Sequence, residues 1–224
     1  MMNADIWNSV DSYLEDVLCL SDTRLDAALA RSGQAGLPPH DVALNQGRLL
    51  QIFARMVRAR RILEIGTLGG YSAICMADAL PDGGKLVSLE CDPRHAEVAR
   101  ENIRMAGLDQ MVEIVVGDAV ETLDRMVASC VEPFDLIFID ADKKDNPLYL
   151  AAALKLSRHG TVIVGDNIIR GGRLIDEAAA NQPDVRGART FLADMGRDLR
   201  LTCTAVQTVG AKGWDGFSLA IVSK

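Results

Sequence analysis

The sequence predicts a doubly wound, Rossmann-like α/β fold: a mostly parallel seven-stranded sheet with an antiparallel C-terminal strand pair and helices on both faces. Three observations carry the prediction. Short apolar runs alternate with helix-length segments between residues 61 and 165, which means parallel strands joined by right-handed crossovers. The runs are nearly continuous in apolar residues, as in Leu136, Ile137, Phe138 and Ile139, and a sheet covered on both faces requires that. Beyond residue 200 the pattern changes to two adjacent strands, 201–209 and 217–222, separated by Gly210, Gly213 and Gly216 and so forming an antiparallel pair.

In chain order, the first forty residues read as a polar helical extension, with Leu14, Val17, Leu18, Leu25 and Leu29 at helical spacing. Gly33, Gly36, Pro38 and Pro39 interrupt it, and a helix restarts near Val42 and runs to about Arg58. Strands are expected at 61–65, 85–90, 112–116, 134–140 and 161–165, and helices at 70–80, 93–106, 119–129 and 147–156. Asp92 before Pro93 has the form of a helix cap followed by a first-turn proline. No internal repeat, linker or low-complexity stretch divides the chain, so residues 1–224 read as one domain with 1–40 as its N-terminal extension.

Composition narrows the function. With 49% hydrophobic and 25% charged residues in 224, the chain fits one globular domain with a substantial core. A net charge of -7 gives no global attraction to phosphate backbones or anionic lipid, which disfavours nucleic acid as a partner. No apolar run approaches the ~20 residues of a membrane span. The N-terminus carries Asp5, Asp11, Glu15 and Asp16 without a basic start, unlike a secretory signal. The cysteines, at 19, 75, 91, 130 and 203, form no C-x-x-C pair. They read as reduced, mostly buried thiols of a cytoplasmic protein, not as a disulfide frame or zinc site.

Four motifs at strand ends carry chemistry. Leu63-Glu64-Ile65-Gly66-Thr67-Leu68-Gly69-Gly70-Tyr71-Ser72 joins the first strand to its helix. Glycines there let the backbone approach a ligand at the carboxyl edge of the sheet. Leu68 replaces the second glycine of the G-x-G-x-x-G dinucleotide fingerprint, so the motif is a cofactor cradle of another kind or a bare turn. Glu90 closes the second strand, 26 residues after Glu64. An acidic residue there accepts hydrogen bonds from both ribose hydroxyls of a nucleoside; alone it would equally be a solvated carboxylate. With the glycine turn, a nucleoside cofactor becomes the better reading. Gly117-Asp118-Ala119 follows the third strand, where Asp118 or the Ala119 backbone reaches an adenine ring, or Asp118 caps a helix, or both.

Most informative are Asp140-Ala141-Asp142-Lys143 and Asp166-Asn167, just past the fourth and fifth strands. If those strands are neighbours, Asp140, Asp166 and Asn167 converge as three hard oxygen ligands. Such a set suits magnesium first, manganese or calcium next, and leaves positions for water and substrate oxygens. One acidic cluster would be a solvated turn; two at adjacent strand ends favour a metal site. Lys143 is a surface lysine or, beside a cation that depresses its pKa, a general base.

With those residues in place, the chain resembles the class I cation-dependent O-methyltransferases, the family of catechol and caffeoyl-coenzyme A O-methyltransferases, and most of all its short bacterial members. The resemblance runs from about Val42 to the C-terminus. It rests on L-E-I-G-T-x-x-G-Y-S, the acidic end at Glu90, D-A-D-K and G-D-N in order, with Gly213-Trp214-Asp215-Gly216 as a turn between the last strands. It implies transfer of the methyl group of S-adenosylmethionine to a hydroxyl of a catechol-like or other vicinal-diol small molecule. By position, Val42, Glu64, Gly66, Thr67, Tyr71 and Ser72 would line the donor pocket together with Glu90, Asp118, Ala119 and Asp142. Asp140, Asp166 and Asn167 would hold the divalent cation, and Lys143 would be the base, with Asp140 also catalytic. The resemblance further implies a homodimer, to which the apolar residues of 44–57 and the N-terminal helices would contribute. A helix covering its own sheet explains those residues equally well.

Pro147 after Asn146, and Arg170-Gly171-Gly172-Arg173, stand where plant members place the aromatic and polar residues that grip the acceptor. Two rival functions share parts of the pattern. A NAD-dependent dehydrogenase would use the same sheet and acidic strand end, but its fingerprint is missing and the acidic clusters go unexplained. A hydroxylated uridine in tRNA would replace the small acceptor if Arg170, Arg173 and Arg186 formed a basic rim.

Overall fold

The chain is described here by a computed structural model covering residues 4–224. Seven strands form one sheet in the order β3-β2-β1-β4-β5-β7-β6. They are β1 (Arg61–Ile65), β2 (Lys85–Glu90), β3 (Val112–Val116), β4 (Phe134–Ile139), β5 (Ser157–Gly165), β6 (Leu201–Gly210) and β7 (Gly213–Val222). The first five run parallel, and β7 lies antiparallel between β5 and β6. The chain winds from β1 outward through β2 and β3, then crosses back to β4 and β5. The crevice at that reversal lies at the carboxyl ends of β1 and β4, where open α/β sheets bind ligands.

Strand alternation sends Ile62, Leu86, Leu136 and Val162 to one face, under α3 (Leu44–Met56), α4 (Tyr71–Ala77) and α5 (Pro93–Met105). Leu63, Ile65, Ile137 and Ile139 point to the other, under α6 (Ala119–Ala128), α7 (Asn146–Lys155) and α8 (Pro183–Arg197). Every residue of β4 is buried, and the strand is apolar apart from Asp135, whose carboxylate accepts from Arg60 N and Arg61 N at the start of β1. Each of its large side chains contributes about 1.5–3 kcal/mol by leaving water. Asp92 accepts from Arg94 N at the start of α5, and Asp118 from Glu121 N at the start of α6, so both are N-caps.

The N-terminal extension forms α1 (Ala4–Val17) and α2 (Thr23–Gln34); residues 1–3 lie outside the described residues. Leu25 and Ala28 of α2 join the core on the α3–α5 side. Asn102 of α5, 1% exposed, donates to Gly69 O at 2.8 Å and Ser32 Oγ at 3.2 Å, tying α2 and α5 to the glycine turn after β1.

Several expectations need correction. Gly213-Trp214-Asp215-Gly216 is strand, not turn: Gly210 pairs with Gly213, leaving Ala211 and Lys212 as a two-residue hairpin loop. The cysteines are mostly exposed. Cys75 alone is buried, while Cys19 and Cys130 occupy left-handed positions after helices and Cys203 lies on the edge strand β6. The helix α8 was not anticipated, although Val185, Ala188, Phe191 and Met195 supply its buried face. β5 begins at Ser157, four residues before the expected start, because its first residue pairs with Phe134 across a register shift.

Candidate active site

A cavity of about 1240 Å³ opens over the carboxyl ends of the strands. Its floor is the turn after β1. Gly66 adopts φ 101°, and a Cβ there would strike the Asp140 backbone carbonyl, so glycine lets the ends of β1 and β4 close together. Glu90 lies beside this turn, 6% exposed. One oxygen accepts from Leu68 N at 2.8 Å and Thr67 N at 3.3 Å, the other from Asp92 N at 2.9 Å. Backbone donors thus fix the carboxylate and take three of its roughly four acceptor sites, which leaves Oε1 the freer oxygen for a hydroxyl.

Gly66, Thr67, Tyr71, Ser72 and Val42 all line the cavity, as do Ala119, Asp118 and Asp142 on its far wall. The Asp118 side chain is engaged in capping α6, and Asp142 is exposed, with an oxygen 3.8 Å from Lys144 Nζ. Glu64 differs from the expectation. Alternation along β1 turns it beneath α4, fully buried and off the cavity surface, where it accepts from Ser72 Oγ and Ser88 Oγ at 2.5 Å each. Burial pushes its carboxyl up to about 8, against the pull of both hydroxyls. It positions Ser72 from behind and is not itself a wall.

At the centre, β4 and β5 are neighbours with Ile139 opposite Gly165, so Asp140 and Asp166 emerge side by side. Asp166 is 4% exposed; it accepts from Gln46 Nε2 at 2.7 Å and from Asn167 N at 2.8 Å. Burial, and then the charge of Asp140, push its carboxyl up to about 7, opposed by Lys143 and the two hydrogen bonds. Asn167 follows in the left-handed region at φ 51°, which asparagine tolerates better than most residues. Lys143 is 8% exposed, with Nζ 2.7 Å from Asp140 Oδ1. Asp140, Lys143, Asp166 and Asn167 all line the cavity. Two carboxylates in mutual repulsion beside a carboxamide make a donor set that a hard divalent cation fits.

Sequence reasoning missed several parts of this site. Gln46 and Asn45 enter from α3, and Asp11 from α1. Asp11 accepts from Ala211 N at 2.8 Å and Asn45 Nδ2 at 3.2 Å, so it joins the N-terminal helix to the hairpin loop. Asp215 holds the turn after Asn167: one oxygen accepts from Ile169 N, Arg170 N and Gly216 N at 2.9–3.0 Å. A lone acidic residue between glycines in a strand was the only signal for it. Of the three arginines that a basic rim would require, Arg170 and Arg173 both pair with Asp184, while Arg186 is exposed.

The family model described as O-methyltransferase matches residues 17–220. A catechol O-methyltransferase from Niastella koreensis is 48% identical over 221 residues, covering 99% of this chain and 100% of that protein. The crystal structure of an O-methyltransferase from Bacillus cereus in complex with SAH superimposes with a TM-score of 0.96 at 47% identity, covering 99% and 100% of the two chains. An O-methyltransferase from Streptomyces achromogenes involved in tomaymycin synthesis, in complex with SAM, gives 0.95 at 43% identity over 100% of both chains.

Proposed function

The chain belongs to the O-methyltransferase family, and from that premise we propose that it methylates one hydroxyl of a catechol-like vicinal diol held by a divalent cation. The activity itself is S-adenosylmethionine-dependent O-methyl transfer. One observation carries the finer reading: Asp140, Asp166 and Asn167 share a cavity wall with Lys143, whose amine is 2.7 Å from Asp140.

S-adenosylmethionine supplies a methyl group already activated on a positively charged sulfur, so the chain must bind, orient and deprotonate. Glu90 receives a ribose hydroxyl on its freer oxygen, and the Gly66–Thr67 turn admits the donor close to the backbone. Asp118, Ala119 and Asp142 flank its adenine, and Ser72, fixed by Glu64, faces its other end with Val42 and Tyr71. Asp140, Asp166 and Asn167 would hold the cation, magnesium first and manganese or calcium after it, and its Lewis acidity would lower the pKa of the acceptor hydroxyl. Lys143, as the neutral amine, takes that proton while the oxygen–carbon bond forms and the carbon–sulfur bond breaks. The proton then passes from Lys143 to solvent.

The small acceptor is favoured over tRNA because the chain carries a net charge of -7 and Asp41, Asp142, Asp145 and Asp184 line the cavity, where a phosphate backbone would be repelled. NAD is disfavoured by Leu68 in the glycine turn. We also read residues 1–224 as one catalytic unit, since cavity walls come from Asp11 at one end and Phe217 at the other. A homodimer is supported by the exposed apolar residues of α1, among them Ile6, Val10, Tyr13 and Val17, and a cytoplasmic site by five unpaired cysteines. Among the described residues, no helix is long and apolar enough to cross a membrane.

Methyl transfer from labelled S-adenosylmethionine to catechol, measured with magnesium and then with excess chelator, tests the reading. Turnover is expected with magnesium and its loss in chelator; undiminished turnover in chelator contradicts the metal role.

A further inference from the structure

We propose that Arg170 and Arg173 form an anion subsite in the acceptor half of the cavity, and that the preferred acceptor is therefore a vicinal diol bearing a carboxylate. The inference rests on the diol O-methyltransferase reading above and names its substrate class more narrowly.

The turn that leaves Asn167 is built to bring both arginines to one place. Asp215 pins the backbone N–H groups of Ile169 and Arg170. Gly171 and Gly172 follow at φ 63° and 87°, and a Cβ on Gly172 would meet the Trp214 ring at 2.8 Å. The chain therefore curls tightly under β7, and both guanidinium groups converge on Oδ2 of Asp184, in the first turn of α8. Arg170, Arg173 and Asp184 line the same cavity as Asp140, Lys143 and Asp166.

Two cations face one carboxylate, so the cluster keeps one positive charge in surplus. Each guanidinium uses a single Nη2 on Asp184, and Nη1 of both has no protein partner among the described residues. A planar carboxylate matches that free edge better than any neutral group, because paired N–H donors meet paired oxygens. Lys212, in the hairpin loop, is engaged elsewhere: it donates to the Pro39 carbonyl at 3.1 Å, and its charge acts on the Asp41 carboxyl.

Charge is divided across the cavity. Glu90, Asp118 and Asp142 mark the region read as the donor's ribose and adenine. The arginines stand three and six residues beyond Asn167, on the acceptor's side. A polyphosphate chain is a poor match, because Asp41, Asp142, Asp145 and Asp184 line the same cavity and would repel it. A small monoanion on the arginines has only Asp184 beside it, and stays clear of Asp41, Asp142 and Asp145.

The test compares kcat/KM for 3,4-dihydroxybenzoate and for catechol, at saturating donor and fixed magnesium. The wild type is expected to favour the acid by ~10-fold or more, the scale of one charge-assisted hydrogen bond. Arg170→Gln with Arg173→Gln should cut that ratio ~10-fold, chiefly through KM for the acid. Asp184→Asn, which removes the competing carboxylate, should raise it. General damage to the fold would slow both acceptors together and leave the ratio in place, so opposite movements in the two variants belong to the subsite alone. A wild-type ratio near one, a ratio unmoved by the arginine substitutions, or a ratio lowered by Asp184→Asn overturns the proposal. Methylation of both acceptors at equal kcat/KM removes the subsite only. Methylation of neither removes the diol reading with it.

Discussion

Under the proposed mechanism, Asp140, Asp166 and Lys143 would divide the chemistry unequally. Holding a reactant in line is worth ~7–11 kcal/mol, whereas a general base contributes a 100- to 10,000-fold effect, about 3–5 kcal/mol. Lys143→Ala is therefore expected to slow turnover by ~100- to 10,000-fold, and Asp140→Ala or Asp166→Ala to slow it further still. Single-turnover rates on the three variants check the order; a Lys143 variant slower than both aspartate variants would contradict it. The three residues were legible in the sequence because each lies within a few positions of a strand end. Gln46 was not. Its hydrogen bond to Asp166 spans 120 positions, and nothing in its helix distinguishes it from a solvated glutamine. Glu64 was visible but wrongly placed, since Gly66 and Thr67 just beyond it line the cavity and its own side chain faces away.

The element that fixes the floor of the cavity is the unit β1–turn–α4, with β2 beside it. Glu64 from β1, Ser72 from α4 and Ser88 from β2 meet in one buried cluster. The folded carboxyl titrates at about 8 against an ordinary 4.5, so it is protonated in the fold where the unfolded chain is already ionised. The stability it contributes is complete below about pH 4.5 and is lost as pH rises through about 8. Glu64→Gln should leave this cluster nearly unchanged at pH 5. By pH 9 it should be more stable than the wild type by about 2–4 kcal/mol, seen in urea unfolding at the two pH values. A wild type that gains stability over the variant across that range would contradict the account. At this scale the first three strands match the sequence reading residue for residue, because apolar runs bounded by glycines and acids are unambiguous. The hairpin did not: three glycines spelled a long turn, and cross-strand pairing of Gly210 with Gly213 extended the ladder through them. The helix α8 escaped because two glycines and five charged residues interrupt its apolar pattern.

Across the whole molecule, strand order does what no single motif does. Placing β4 between β1 and β5 sets the acidic centre beside the glycine turn, and the sequence supplied that adjacency only as a condition. The fold class, by contrast, followed from alternation alone. The covering of the cavity was hidden, because it joins opposite ends of the chain: Asp11 and Ala211 meet across 200 positions, a contact that local pattern does not encode. The most direct measurement is manganese binding, followed by paramagnetic resonance, in the chain saturated with S-adenosylhomocysteine. One ion per chain is expected for the wild type, with binding lost in Asp166→Asn while S-adenosylhomocysteine still raises the melting temperature. Manganese bound equally well by the variant, or not bound by the wild type at all, would contradict the claim that Asp140, Asp166 and Asn167 form the cation site.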